Sequence, residues 1–191
     1  MVDLYGVALL GVVVLGTLAT LKWYFPRKFA REDRARRVVP RGAVRDLVAE
    51  TRVRVIGTAQ PLDEELIGPH SGKPCLAYNA RVYDDHLQVQ KKSSVVAFRV
   101  QDETGTIDVI VDHVTLDLAP DLDVKELGAG VIARNRVGGR YPASLWEYAL
   151  RPHARVAVVA RVARDDRGKL TLVGTATEPV VISTWRASLE P

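Results

Sequence analysis

Hydrophobic positions change their spacing twice along the chain. Residues 4–24, LYGVALLGVVVLGTLATLKWY, carry no charge before Lys22, and apolar side chains surround any helix drawn through them. A run of about 20 such residues spans a hydrocarbon core of about 30 Å, so one transmembrane helix is expected within residues 1–25. A cleaved signal peptide would want a basic start and an A-x-A site. Here the early charge is Asp3, and Gly16, Thr17 and Ala19 match such a site poorly. Beyond Arg45 the pattern becomes alternating, and strands are expected near 52–59, 75–89, 94–101, 106–112, 155–162, 169–175 and 179–184. On the second of these, Leu76, Tyr78, Ala80 and Val82 share one parity, and Cys75, Ala77, Asn79, Arg81 and Tyr83 share the other.

The connections follow from turn chemistry. Asp102-Glu103-Thr104-Gly105 joins two strands as a hairpin, with Gly105 expected at positive φ and Asp102 shaping the turn through its carboxylate. Residues 164–168 make another hairpin. The stretch 60–74 reads as a loop, and 116–142, acidic and then Gly-rich, as an excursion. In 144–150, SLWEYAL, a short helix is expected, with Ser144 as N-cap and Glu147 as its capping-box partner. Six or seven short strands in one domain predict a mainly β fold: a small antiparallel OB-like barrel with appended hairpins, preceded by the N-terminal transmembrane helix. Its five-strand core is assigned to the strands beginning near Arg52, Cys75, Ser94, Thr106 and Arg155. The organisation is an anchor at 1–25, a basic juxtamembrane segment at 26–45, a β-barrel domain at 46–184 and a tail at 185–191.

Charge sharpens the anchor. Trp23, Tyr24 and Phe25 sit where an aromatic belt would meet the headgroups, and Pro26 ends or kinks the helix. From Lys22 to Arg45 there are nine basic residues: Lys22, Arg27, Lys28, Arg31, Arg34, Arg36, Arg37, Arg41 and Arg45. Only Glu32 and Asp33 oppose them, so this segment is +7; the whole chain is +4, which leaves −3 elsewhere. The positive-inside rule then puts the N-terminus outside and the β domain on the cytoplasmic side. The same residues, from Lys22, Trp23 and Tyr24 to Arg37, form a membrane-surface set able to rest on anionic lipid headgroups, at about 1 kcal/mol per cation. A pure topology signal and a nucleic-acid arm are the other readings of the same arginines.

Several segments resemble the GIDE, or "beside a membrane", domain. They are VRVIGTAQPLDEELIGPHSGKPCLAY, AFRVQDETGTIDVIV, WEYALRPHARVAVVARV and TEPVVIST. The carried elements are S-G-x-P-C (Ser71, Gly72, Pro74, Cys75), F-x-V-x-D-x-T-G (Phe98, Val100, Asp102, Thr104, Gly105) and E-x-x-L (Glu147, Leu150), over about residues 45–184. The domain occurs in mitochondrial membrane-anchored ubiquitin and SUMO ligases and in bacterial and archaeal membrane proteins. The resemblance implies a fold beside a bilayer. These motif residues are turn and core types, so their expected role is structural. The ligase members add a second membrane span and a RING. With 1 Cys and no second apolar span, this sequence puts no residues behind ubiquitin-ligase activity.

No nucleophile elbow, zincin helix, P-loop or dinucleotide fingerprint occurs. His70, His86, His113 and His153 are scattered without metal-ligand spacing, and no metal or cofactor is expected. Cys75 reads as a small buried hydrophobe, and Asp84, Asp85 and His86 as a solvated strand end. Tyr78, Arg81 and Tyr83 form a candidate binding face, where aromatics could stack bases and a cation hold phosphate. The folded part is net negative, which disfavours nucleic acid; Tyr78 is expected in the core, with Arg81 and Tyr83 on the wetter face. Three functions stay open. The first is a non-enzymatic, membrane-anchored interaction or scaffold module with a protein partner. The second is a tethered OB module for single-stranded nucleic acid, and the third a membrane-proximal enzyme whose nucleophile the sequence does not name.

Overall fold

The computed structural model describes residues 39–84, 87–122 and 144–190, all within one compact unit, Val39–Pro191. The expected transmembrane helix at 1–25, its aromatic belt and the basic cluster from Lys22 to Arg37 lie outside the described residues. So do Asp85, His86 and most of the 116–142 excursion. Among the described residues no helix is long and apolar enough to cross a membrane.

Five strands close a ring: β1 (Arg52–Pro61), β6 (Phe98–Gln101), β7 (Thr106–Val109), β12 (Leu170–Val173) and β11 (Arg155–Arg164), which returns to β1. The ring follows the order of an OB-like barrel, and it is not wholly antiparallel as expected, because β7 and β12 pair in parallel. Alternation fills its interior with Val53, Val55 and Ala59 of β1, Phe98 and Val100 of β6 and Ile107 and Val109 of β7. Val156, Val158, Ala160 and Val162 of β11 and Leu172 of β12 complete this core.

Closure depends on β1 serving two partners. Residues 52–58 pair with β11 and residues 58–61 with β6, so the strand must bend sharply where the partners change. Gly57 sits at that bend. A Cβ there would lie 2.3 Å from the Gln101 carbonyl oxygen, so only glycine lets the two strands meet so closely.

The strand assigned near Cys75 is not a barrel member. It is divided among β3 (Pro74–Cys75), β4 (Ala77–Asp84) and β5 (Leu87–Val95), the last two forming an antiparallel hairpin. The fifth barrel strand is β12, the second arm of the hairpin whose turn Gly168, at φ +77°, permits. The expected loop at 60–74 contains β2 (Leu66–Ile67), which pairs with β3. β8 (Val114–Asp117) and β9 (Pro120–Leu122) precede the remainder of the excursion.

Residues 144–150 form a strand, β10 (Ser144–Leu150), and not the expected helix. Leu145, Glu147 and Ala149 are buried on one parity, with Trp146 and Tyr148 half-buried on the other, a period of two that the capping-box reading overrode. β10 pairs with β4 and β9, giving a second sheet in the order β5-β4-β10-β9. β13 (Val180–Ser183) extends the barrel sheet from β11, and β8 follows it in parallel. The tail carries a single helical turn, Arg186–Leu189.

Candidate functional site

Three polar clusters stand out, and the motif residues build two of them. The first surrounds Glu147, whose side chain is fully buried on β10. Its carboxylate accepts hydrogen bonds from the His70 N–H (2.8 Å), the Ser71 N–H (3.1 Å) and the Ser71 hydroxyl (2.6 Å). It also takes one from the Arg151 guanidinium at 2.9 Å. Arg151 in turn donates to the carbonyls of Lys73 and Pro74. Gly68 makes room for the cluster, since a Cβ there would stand 2.5 Å from Glu147 Oε1. Gly72 takes φ +69° in the turn that presents Ser71, and Pro74 and buried Cys75 lead out of it along β3. Burial alone would raise the Glu147 pKa. The hydrogen bonds from Ser71, His70 and Arg151 outweigh it and hold the carboxyl below its ordinary range. The product is a clasp pinning the β2–β3 hairpin to the second sheet.

The second cluster is the β6–β7 turn. Asp102 Oδ1 accepts from the Thr104 N–H, the Thr104 hydroxyl and the Gly105 N–H, the turn-shaping role expected of it. Its other oxygen accepts from the Val44 N–H at 2.9 Å, and Thr104 Oγ1 accepts from the Arg45 N–H, so the 3-10 turn Val44–Asp46 is docked on the hairpin. Burial pushes the Asp102 pKa up, and these donors together bring it below the usual value. Gly105 is not at positive φ, contrary to expectation: among the described residues the positive-φ glycines are Gly72 and Gly168. Its place is set by space, because a Cβ would stand 3.3 Å from Val44 Cγ1.

The third cluster was not foreseen. Asp108 on β7 binds Arg99 Nε at 2.6 Å on the neighbouring strand and Lys169 Nζ at 2.5 Å at the end of the β11–β12 hairpin. Desolvation would raise its pKa, but the two cations overcome that and lower it. Among the described residues no group of three His, Cys, Asp or Glu side chains could hold a metal ion.

The candidate face divides as its parity dictates. Arg81 and Tyr83 lie on one side of β4 and Tyr78 on the other, where Tyr78 is half-buried rather than in the core. Two residues that sequence reasoning missed join Arg81. Trp146 is its cross-strand neighbour on β10, and the Tyr148 ring lies under its guanidinium, 5.4 Å from centroid to Cζ. The Trp146 and Tyr148 rings are stacked, 6.4 Å apart with their planes 19° from parallel. The signal was the W-x-Y spacing, which puts both rings on one face only if the segment is a strand. On β5, Lys91 sits opposite Arg81 and Ser93 opposite Asn79 on the same face. An open cleft of about 900 Å³ lies elsewhere, lined by Arg41, Gly57, Thr58, Asp102, Glu103 and Arg155 among others. A smaller groove of about 340 Å³ separates β8 from β4 and β5. In comparisons with family models, curated proteins and solved structures, nothing matches the chain.

Proposed function

We propose that this protein is a non-enzymatic interaction module, an OB-like barrel with an added sheet, held beside a bilayer by its N-terminal segment. The observation that carries this reading is the use made of the perturbed carboxylates among the described residues. Glu147, Asp102 and Asp108 all have lowered pKa values, and all are tied by hydrogen bonds to loops and strands of their own fold. A general acid–base group would be tuned toward neutrality and left with a free edge toward substrate. These are fixings for a rigid body. The apolar run at 4–24, the basic residues behind it and the resemblance to the GIDE domain support the membrane-proximal setting.

Two measurements test the reading. Removing residues 1–45 should release the protein from the membrane fraction, and retention on membranes would count against the anchor. Tagged full-length chain, solubilised in detergent, should retain a discrete protein partner that an anchor-only control of residues 1–45 does not. The Trp146–Tyr148 stack beside Arg81 favours a second reading, binding of single-stranded nucleic acid. That reading predicts affinity that falls steeply with salt through counterion release. A titration with no binding at low salt removes it.

A further inference from the structure

We infer that the groove between β8 and the β4–β5 face accepts an extended, acidic peptide segment of a protein partner, added as a strand along β8. The inference rests on the interaction-module reading and names the chemistry of its partner. Among the described residues β8 is the last strand of its sheet, with β13 on one side. Val180 N–H donates to the His113 carbonyl and Thr184 N–H to the Asp117 carbonyl, so the odd-numbered residues turn their backbone toward β13. In a parallel ladder the alternate residues face away, which directs the N–H and C=O groups of Val114 and Leu116 outward. Such an edge is a template for another strand.

The groove this edge borders is lined by Val114, Thr115 and Leu116 on one side and by Asn79, Lys91 and Ser93 on the other. Asn79, Ser93 and Ser94 give that wall polar side chains beside which an incoming peptide backbone can lie. Lys91 and Arg81 are cross-strand neighbours on the β4–β5 face, so the charge complementary to it is negative. Backbone pairing supplies affinity, and Lys91, the charged side chain lining the groove, selects for acidic side chains.

The test uses the isotope-labelled full chain in detergent micelles. The probe is a capped heptapeptide alternating valine with glutamate and threonine. Expected are hydrogen-exchange protection of the Val114 and Leu116 amides, and roughly tenfold weaker binding by Lys91→Glu, a change of about 1.4 kcal/mol. The same peptide N-methylated at alternate residues should lose both effects. Lys91 is exposed, so its replacement leaves the fold intact. Absence of protection overturns the inference, as does equal binding of the lysine-for-glutamate peptide. Displacement of the peptide from these amides by oligo-dT overturns it in favour of nucleic acid. A captured protein partner indifferent to Lys91→Glu and leaving both amides unprotected sinks the groove while the module reading stands. Failure to capture any discrete partner counts against the module reading itself.

Discussion

Replacing Glu147 by alanine removes the acceptor for four donors at once. The His70 amide is buried, and the Ser71 amide and hydroxyl are partly so. An unsatisfied buried donor costs about 1–3 kcal/mol, and the low end applies to the partly wet ones. Arg151 keeps its bonds to the Lys73 and Pro74 carbonyls, and its side chain is 19 % exposed, so its charge is not stranded in a dry interior. The sum is about 4 kcal/mol, within the 3–5 kcal/mol typical when one member of a buried pair is lost. Against a total stability of roughly 5–15 kcal/mol this is a large fraction. With a urea slope of about 2 kcal/mol/M, the unfolding midpoint of the full chain in non-ionic detergent should fall by about 2 M. Glu147→Gln keeps the shape and one carbonyl oxygen for the two amides, so about 1–2 kcal/mol is expected. The His70 and Ser71 amides should lose exchange protection in the alanine variant before the barrel does. A midpoint shift under about 0.5 M with an unchanged slope would refute the clasp as a source of stability.

Stability should rise with pH across the carboxylate range. Glu147, Asp102 and Asp108 have folded pKa values below their unfolded ones, so their contribution is complete above the ordinary range and is lost as pH falls through the depressed values. Chemical denaturation at a series of pH values should show a flatter acid limb for Glu147→Gln than for the parent. Asp108→Asn should cost about 1 kcal/mol, because Arg99 and Lys169 reach water, and urea unfolding at about 0.1 M and about 1 M salt should show the difference shrinking. Gly57→Ala forces a Cβ against the Gln101 carbonyl and should cost about 2–3 kcal/mol, whereas Gly105→Ala meets only a movable valine methyl and should cost under about 1 kcal/mol. Equal thermal shifts for the two glycine variants would contradict that account.

The barrel was legible where two strands flank a short turn. The β6–β7 and β11–β12 hairpins follow from alternation meeting Asp102-Glu103-Thr104-Gly105 and Arg164-Asp165-Asp166-Arg167-Gly168. Four of the five ring strands, those beginning near Arg52, Ser94, Thr106 and Arg155, were legible; the fifth was not, since the parallel pairing of β12 with β7 is a long-range choice with no local sign. β4 looked like a barrel strand because Ala80 and Val82 give it an apolar parity, but those residues lie beside Pro69 and His70, next to Glu147. Ser144 and Glu147 carry capping-box chemistry, and period-two burial along Leu145, Glu147 and Ala149 defeats it. Propensity gave way to tertiary pairing there. The third cluster was hidden for the same reason, because Asp108, Arg99 and Lys169 meet only once β6, β7 and β12 are side by side.

The double partnership of β1 also sets an order on biogenesis. β1 is made well before β11, and in between it can pair with β6 while the edge meant for β11 stays open. β4 waits for β10, β7 for β12 and β8 for β13, each pairing an early strand with a later one. Folding dominated by such distant pairings is slow, on the order of milliseconds to seconds, and the unpaired edges are exposed to aggregation meanwhile. A chain truncated before Arg155 would lack the strand that seals the ring, so the barrel cannot close until β11 and β12 have both been made.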